Sequence, residues 1–126
     1  LLVPGGPRLG LGLQPNPLLP RIVELGVGVG HLQPPDIQLE ALGKAGAGVQ
    51  GRYKHCSGSW RALGRFLPML GARPAIGEEG RPEEVEEEII QTICHKDKVA
   101  EVIAAIKKVH SYEEPPIDIM PRYEVK

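Results

Sequence analysis

The densest group of chemically capable side chains lies near the end of the chain, in "HSYEEPPIDI" (110–119). His110, Tyr112, Glu113 and Glu114 fall within five residues, and Pro115 and Pro116 fence the run on its right. A histidine three residues from a carboxylate can ligate a divalent metal with it or share a proton with it. That makes His110 and Glu113 the candidate metal ligands. The competing reading is a connection from helix to strand, whose tyrosine packs and whose glutamates face solvent or a neighbouring subunit. Two successive prolines force extended backbone and forbid further helix, so residue types alone favour the connection. No residue is assigned a catalytic role.

Two histidine–cysteine pairs, His55–Cys56 and Cys94–His95, raise zinc as a second possibility. Zinc needs ligands converging at about 2.0–2.3 Å, whereas neighbours on a strand point to opposite faces. Two packed thiols are therefore expected. Cys94 precedes a helical pattern that could activate a thiolate, but nothing supplies an oxyanion hole. Glycine is plentiful without forming a Walker sequence or a strand-anchored G-x-G-x-x-G. "GAGVQG" (46–51) leaves a short helix rather than opening one, and so reads as a cap and turn.

These residues must be positioned by a chain of 126 residues, enough for one domain with a modest core. A formal net charge of −1 gives no case for nucleic acid or a membrane surface. Nor is there an unbroken apolar run of about 18 residues to cross a bilayer. Two cysteines are too few for a disulfide scaffold and fit a reducing, cytoplasmic setting. The first 36 residues hold seven prolines and seven glycines, and lack the basic start and compact apolar block of a secretion signal. Within residues 1–36, 1–20 reads as loosely ordered, while Val23, Leu25, Val27 and Val29 alternate onto one face and predict a strand over 21–30.

The folded domain is expected over 37–126. Asp36 is the candidate N-cap of a short helix carrying Leu39 and Leu42. A strand is expected within "VQGRYKHCSGSW", followed by a loop from about Arg61 to Pro82. In "EEVEEEIIQTIC", Val85, Glu87, Ile89, Gln91 and Ile93 share one strand face, and Glu86, Glu88, Ile90, Thr92 and Cys94 the other. The glutamate run reads as a solvated sheet edge rather than a cation site. Val99, Val102, Ile103, Ile106 and Val109 form one helical stripe, with Asp97 in the first turn and Lys107, Lys108 and His110 in the last. Ile117 and Ile119 alternate against Asp118 and Met120 as a last strand. The order is that of a β-α-β-β-α-β ferredoxin-like α+β sandwich: a four-stranded antiparallel sheet with two helices on one face.

Three ordered blocks then resemble the inserted domain of bacterial NGG-interacting-factor-three-like proteins. "VIAAIKKVHSYEEPPIDI" (102–119) is similar to that domain's closing histidine–proline–tyrosine–glutamate–glutamate–proline signature, here His110, Tyr112, Glu113, Glu114, Pro115 and the following Asp118, with Ser111 where the family usually has proline. "GRFLPMLGARPAIGEEG" (64–80) matches its loop through Gly64, Phe66, Pro68, Gly71, Ala72, Pro74, Ile76, Gly77 and Gly80. "AGAGVQGRYKHCS" (45–57), with Tyr53 and Cys56, is the third. The resemblance implies a fold related to CutA and PII proteins, which are typically trimeric. It implies a small non-catalytic oligomerising or regulatory module: a homo-oligomer, trimer favoured, with Tyr112, Glu113 and Glu114 at a subunit boundary or facing a protein partner. One alternative is CutA-like binding of zinc or copper, with His110, Glu113 and Cys56 contributing. The other is an accessory part of a type-two GTP cyclohydrolase-like hydrolase. These 126 residues hold no counterpart of the family's large metal-binding domain, so the activity itself is not carried over.

Overall fold

The computed structural model describes residues 21–31 and 33–123; the expectation for 1–20 lies outside the described residues. Four strands form one sheet in the order β2-β3-β1-β4: β1 (Ile22–Gly30), β2 (Ser57–Phe66), β3 (Glu83–His95) and β4 (Ile117–Arg122). Helix α1 (Pro35–Lys44) follows β1, and α2 (Val99–Val109) follows β3 through a single 3₁₀ turn at Lys96–Lys98. All three strand pairings are antiparallel. The expected element order and fold class are those observed.

The register explains the core. Val27 stands opposite Ile90 on one side and Ile117 on the other, and Val23 stands opposite Cys94. Period-2 alternation therefore places the four β1 apolar residues, Ile90 and Cys94 on the face that both helices cover. The helices contribute Leu42, Val102 and Ile106, with Val99 and Ile103 packed at the margin. Because β1 is an interior strand, the folded unit reaches back past residue 37 to Ile22.

Several local expectations need correction. Asp36 is not the N-cap: Pro34 holds that position without a side-chain hydrogen bond, and Asp36 sits in the first turn. Pro35 at the helix start sets φ and donates no N–H where none is needed. The helix ends in a Schellman arrangement, with Ala47 N–H donating to Leu42 O at 3.0 Å and Gly46 N–H to Gly43 O at 3.2 Å. Gly46 has a φ of 101°, which explains why glycine stops the helix there. His110 is the C-cap of α2, one step beyond the last turn. The loop begins at Leu67, not Arg61, since β2 pairs with β3 as far as Phe66 opposite Glu83. Finally, β3 is interior and cannot be an edge; β2 and β4 are the edges.

Candidate functional site

The loop from Leu67 to Pro82 folds back over one end of the sheet, tied where Gly80 N–H donates to Pro68 O at 2.8 Å. Gly71 and Gly77 take φ values of 92° and 94°, a left-handed backbone that a side chain would strain. The "SYEEPP" connection approaches from the opposite side, and Arg73 N–H donates to Glu113 Oε1 at 3.1 Å, joining the two segments. Between them lies a cleft of about 540 Å³. Phe66, Pro68, Met69, Leu70, Pro74 and Ile76 supply apolar wall, and Tyr112, Glu113, Glu114 and Pro116 the other rim. Two sequence blocks some forty residues apart therefore build one site.

The floor is a strand residue that sequence reasoning assigned to solvent. Glu87 shares the helix-free face of β3 with Val85 and Ile89, and is half-buried. Glycine makes room for it. A Cβ at Gly64 would collide with the Glu87 carboxylate, and one at Gly30 with the Tyr112 hydroxyl. At Gly28 a Cβ would meet Pro116 at 3.0 Å. The alternation of β3 puts Glu87 on the face of Val85 and Ile89, but it equally puts Glu86 and Glu88 on the face of buried Ile90, so periodicity alone does not single Glu87 out.

The Tyr112 hydroxyl is closed off from solvent and completes no hydrogen bond. Burial, chiefly, and then the adjacent Glu87 charge push its ionisation up to about 12. It therefore stays protonated. The Glu87 carboxylate lies beside it.

His110 lies beneath this connection rather than in the cleft, only 8% exposed. Its Nε2 is 2.7 Å from Gly28 O, and its Nδ1 accepts from Tyr112 N–H at 3.0 Å. A carbonyl only accepts and an amide N–H only donates, so the ring is the neutral Nε2–H tautomer with both nitrogens committed. Gly28 lies just past the end of the β1–β4 ladder, where its N–H donates to Pro116 O at 3.1 Å. The ring thus continues the ladder by one step. With both nitrogens occupied, His110 has no lone pair to offer a metal, and among the described residues no three His, Cys, Asp or Glu side chains are grouped to hold one.

The remaining expected residues lie elsewhere. Tyr53 is exposed in the turn before β2. Cys56 lines a separate depression of about 250 Å³ with Glu24 and Gln91. Asp118 is exposed on β4 opposite Gly26, and Pro115 is half-buried behind the cleft rim. Cys94 is 2% exposed, and its thiol is pushed up, mainly by burial and then by Glu101, the opposite of an activated nucleophile. No helix among the described residues is long and apolar enough to cross a membrane.

Comparison with solved structures defines the class. The chain has the ferredoxin-like fold of CutA and PII proteins: a CutA described as a periplasmic divalent cation tolerance protein from Archaeoglobus fulgidus superposes with a TM-score of 0.62 at 19% identity, covering 83% of this chain and 87% of that one. GlnK of Bacillus subtilis gives 0.52 at 15% identity, covering 80% and 84%. No protein-family model matches. A Bacillus cereus protein related to NIF3 superposes at 0.70 with 34% identity, covering 82% of this chain and 26% of its own. By sequence the chain is homologous to one segment of proteins named GTP cyclohydrolase 1 type 2 homolog. Identity is 45% over 82 residues with that of Halalkalibacterium halodurans and 47% over 81 with that of Bacillus subtilis, or 65% and 64% of this chain. The chain spans about a fifth of the length of these curated relatives, 22% in both cases.

Proposed function

We propose that the chain is a non-catalytic, self-associating module of the cytoplasm, with a trimer as its working state, whose Tyr112–Glu114 connection lies at the boundary between copies. The observation that carries this reading is the edge strand β2. It is ten residues long, hydrogen-bonded on one side only, and bears Trp60 and Leu63 at 47% and 51% exposure. Leu67, Met69 and Leu70 in the loop that follows are exposed as well, Leu70 at 94%. A long edge carrying large apolar side chains invites another strand, and identical copies are the partners always present. The likeness to CutA and PII supports three as the stoichiometry, and two unpaired thiols fit a reducing compartment.

The relatives' name describes proteins of which the matched segment makes up 22%, and no hydrolase chemistry is proposed for this chain. Divalent metal binding would have to do without His110. The test is size-exclusion chromatography with light scattering at tens of micromolar. A trimer that Trp60→Lys together with Leu63→Lys converts to a folded monomer supports the reading. A wild-type chain that elutes as a clean monomer overturns it.

A further inference from the structure

We propose that the cleft between the 67–82 loop and Tyr112–Pro116 is occupied, in the assembled protein, by the Arg52–Lys54 turn of a second copy. The Tyr53 ring enters against the apolar wall, and Arg52 and Lys54 meet the glutamate rim. This rests on the self-association proposed above and deepens it, by naming what stands across the boundary from Tyr112–Glu114.

The turn is held in shape before any contact. Gln50 N–H donates to Tyr53 O and Tyr53 N–H to Gln50 O, both at 2.9 Å, and Cys56 N–H donates to Gly48 O at 2.9 Å to close the base. Gly51, with a φ of 59°, makes the reversal at the tip. Little order therefore remains to be lost when the turn docks. Tyr53 is 74% exposed and Val49 53% exposed, so the projection carries apolar surface that its own copy leaves uncovered. Arg52 and Lys54 flank the ring, both exposed and neither in an ion pair among the described residues. An aromatic ring beside a guanidinium, on a preformed projection, is the kind of anchor that protein interfaces bury in a pocket.

The cleft has the matching character. Its volume of about 540 Å³ is ample for an aromatic side chain. Phe66, Met69, Leu70, Pro74 and Ile76 wall it, with Met69 77% and Leu70 94% exposed in the single copy. Charge selects the occupant. Glu113 and Glu114 on the rim are exposed and form no ion pair among the described residues, while Arg65, the basic side chain on the lining, is engaged by Glu84 at 3.0 Å. The two cations beside Tyr53 complement that rim. Distance requires the turn to come from another copy. It precedes β2 and the cleft lies at the far end of β2, and ten residues rising about 3.3 Å each put roughly 30 Å between them. The contact is therefore heterologous: each copy gives one turn and offers one cleft, an arrangement that closes into rings such as a trimer.

The experiment measures the dissociation constant of the full chain's assembly by sedimentation velocity over a dilution series. Tyr53→Ser should weaken association about tenfold or more, whereas Tyr53→Phe, which keeps the ring, should associate like the parent. Arg52→Glu with Lys54→Glu should weaken it about tenfold, and so should Glu113→Lys with Glu114→Lys. Joining the two charge reversals in one chain should restore most of the affinity, because an acidic turn then meets a basic rim. Purely local damage would instead add up. Melting curves establish that each variant is folded. Unchanged affinity in Tyr53→Ser, or a joint reversal no better than the worse of its halves, overturns this proposal and leaves association through the Trp60 and Leu63 edge standing. A wild-type chain that is monomeric overturns both. A small molecule that native mass spectrometry finds on the wild-type assembly, and that Leu70→Asp releases, identifies a different occupant and overturns this proposal alone.

Discussion

Replacing His110 by alanine should be one of the most damaging single changes in the domain, and the reason is local. The imidazole supplies the donor for Gly28 O and the acceptor for Tyr112 N–H. Leaving a buried polar group unpaired costs about 1–3 kcal/mol each. The ring also meets Tyr112 at a centroid distance of 4.9 Å, a contact worth about 0.5–1.5 kcal/mol. Together these imply a loss of about 2.5–7.5 kcal/mol, a large share of what holds a domain of this size folded. At about 4 °C per kcal/mol the low end of that loss alone lowers the melting temperature by roughly 10 °C. Circular dichroism melts and urea titration measure it. Two controls separate hydrogen bonding from bulk. His110→Asn keeps an oxygen near the Nδ1 position for Tyr112 N–H, and His110→Gln keeps an amide N–H near Nε2 for Gly28 O; each should recover part of the loss. An alanine variant melting within about 3 °C of the parent would refute the account of His110 as a backbone strut.

Other expectations concern buried polar groups and thiols. Gln38 is fully buried with neither amide atom partnered, so Gln38→Met should raise stability by about 1–2 kcal/mol, read as a higher urea midpoint at constant slope. With Cys94 2% exposed and its thiol pushed up, Cys56→Ser should leave a chain that reacts with a thiol reagent only in denaturant; prompt labelling of the folded variant would contradict that burial. The raised Tyr112 ionisation makes the folded state hold its proton more tightly than the unfolded chain does. Stability should therefore be level below about pH 10 and fall as pH climbs toward about 12. Tyr112→Phe should flatten that alkaline slope in melts at stepped pH.

Much of the fold was legible because its signals are periodic and local. Four valines and leucines at every second position announced β1, and the 3.6-residue stripe from Val99 to Val109 announced α2. The cleft was legible only in pieces. Its walls, 64–80 and 110–116, were recognised as blocks, but nothing in either says that they face each other across one end of the sheet. Glu87 was lost because a glutamate run looks solvated when read as composition. Only the pairing of β2 with β3, which brings Glu87 opposite Ala62 and near Gly64, turns it inward. The use made of His110 was hidden for a similar reason. An imidazole beside carboxylates suggests ligation, whereas its use here depends on Gly28 O, 82 residues away in sequence.

The position of β1 between β3 and β4 also has a kinetic consequence. Its ladder with β4 sets Ile22 opposite Arg122, a hundred residues apart, while β2 and β3 are consecutive strands closed by the Leu67–Pro82 loop alone. Pairings of such separation carry a large loop-closure cost before any contact rewards it, so the hairpin of β2 and β3 can form early and β4 must join last. During synthesis β1 would emerge first and wait for most of the chain before its second side is covered. Until then its apolar face and free edge are open to any neighbouring nascent chain, so assembly and aggregation compete over the same interval.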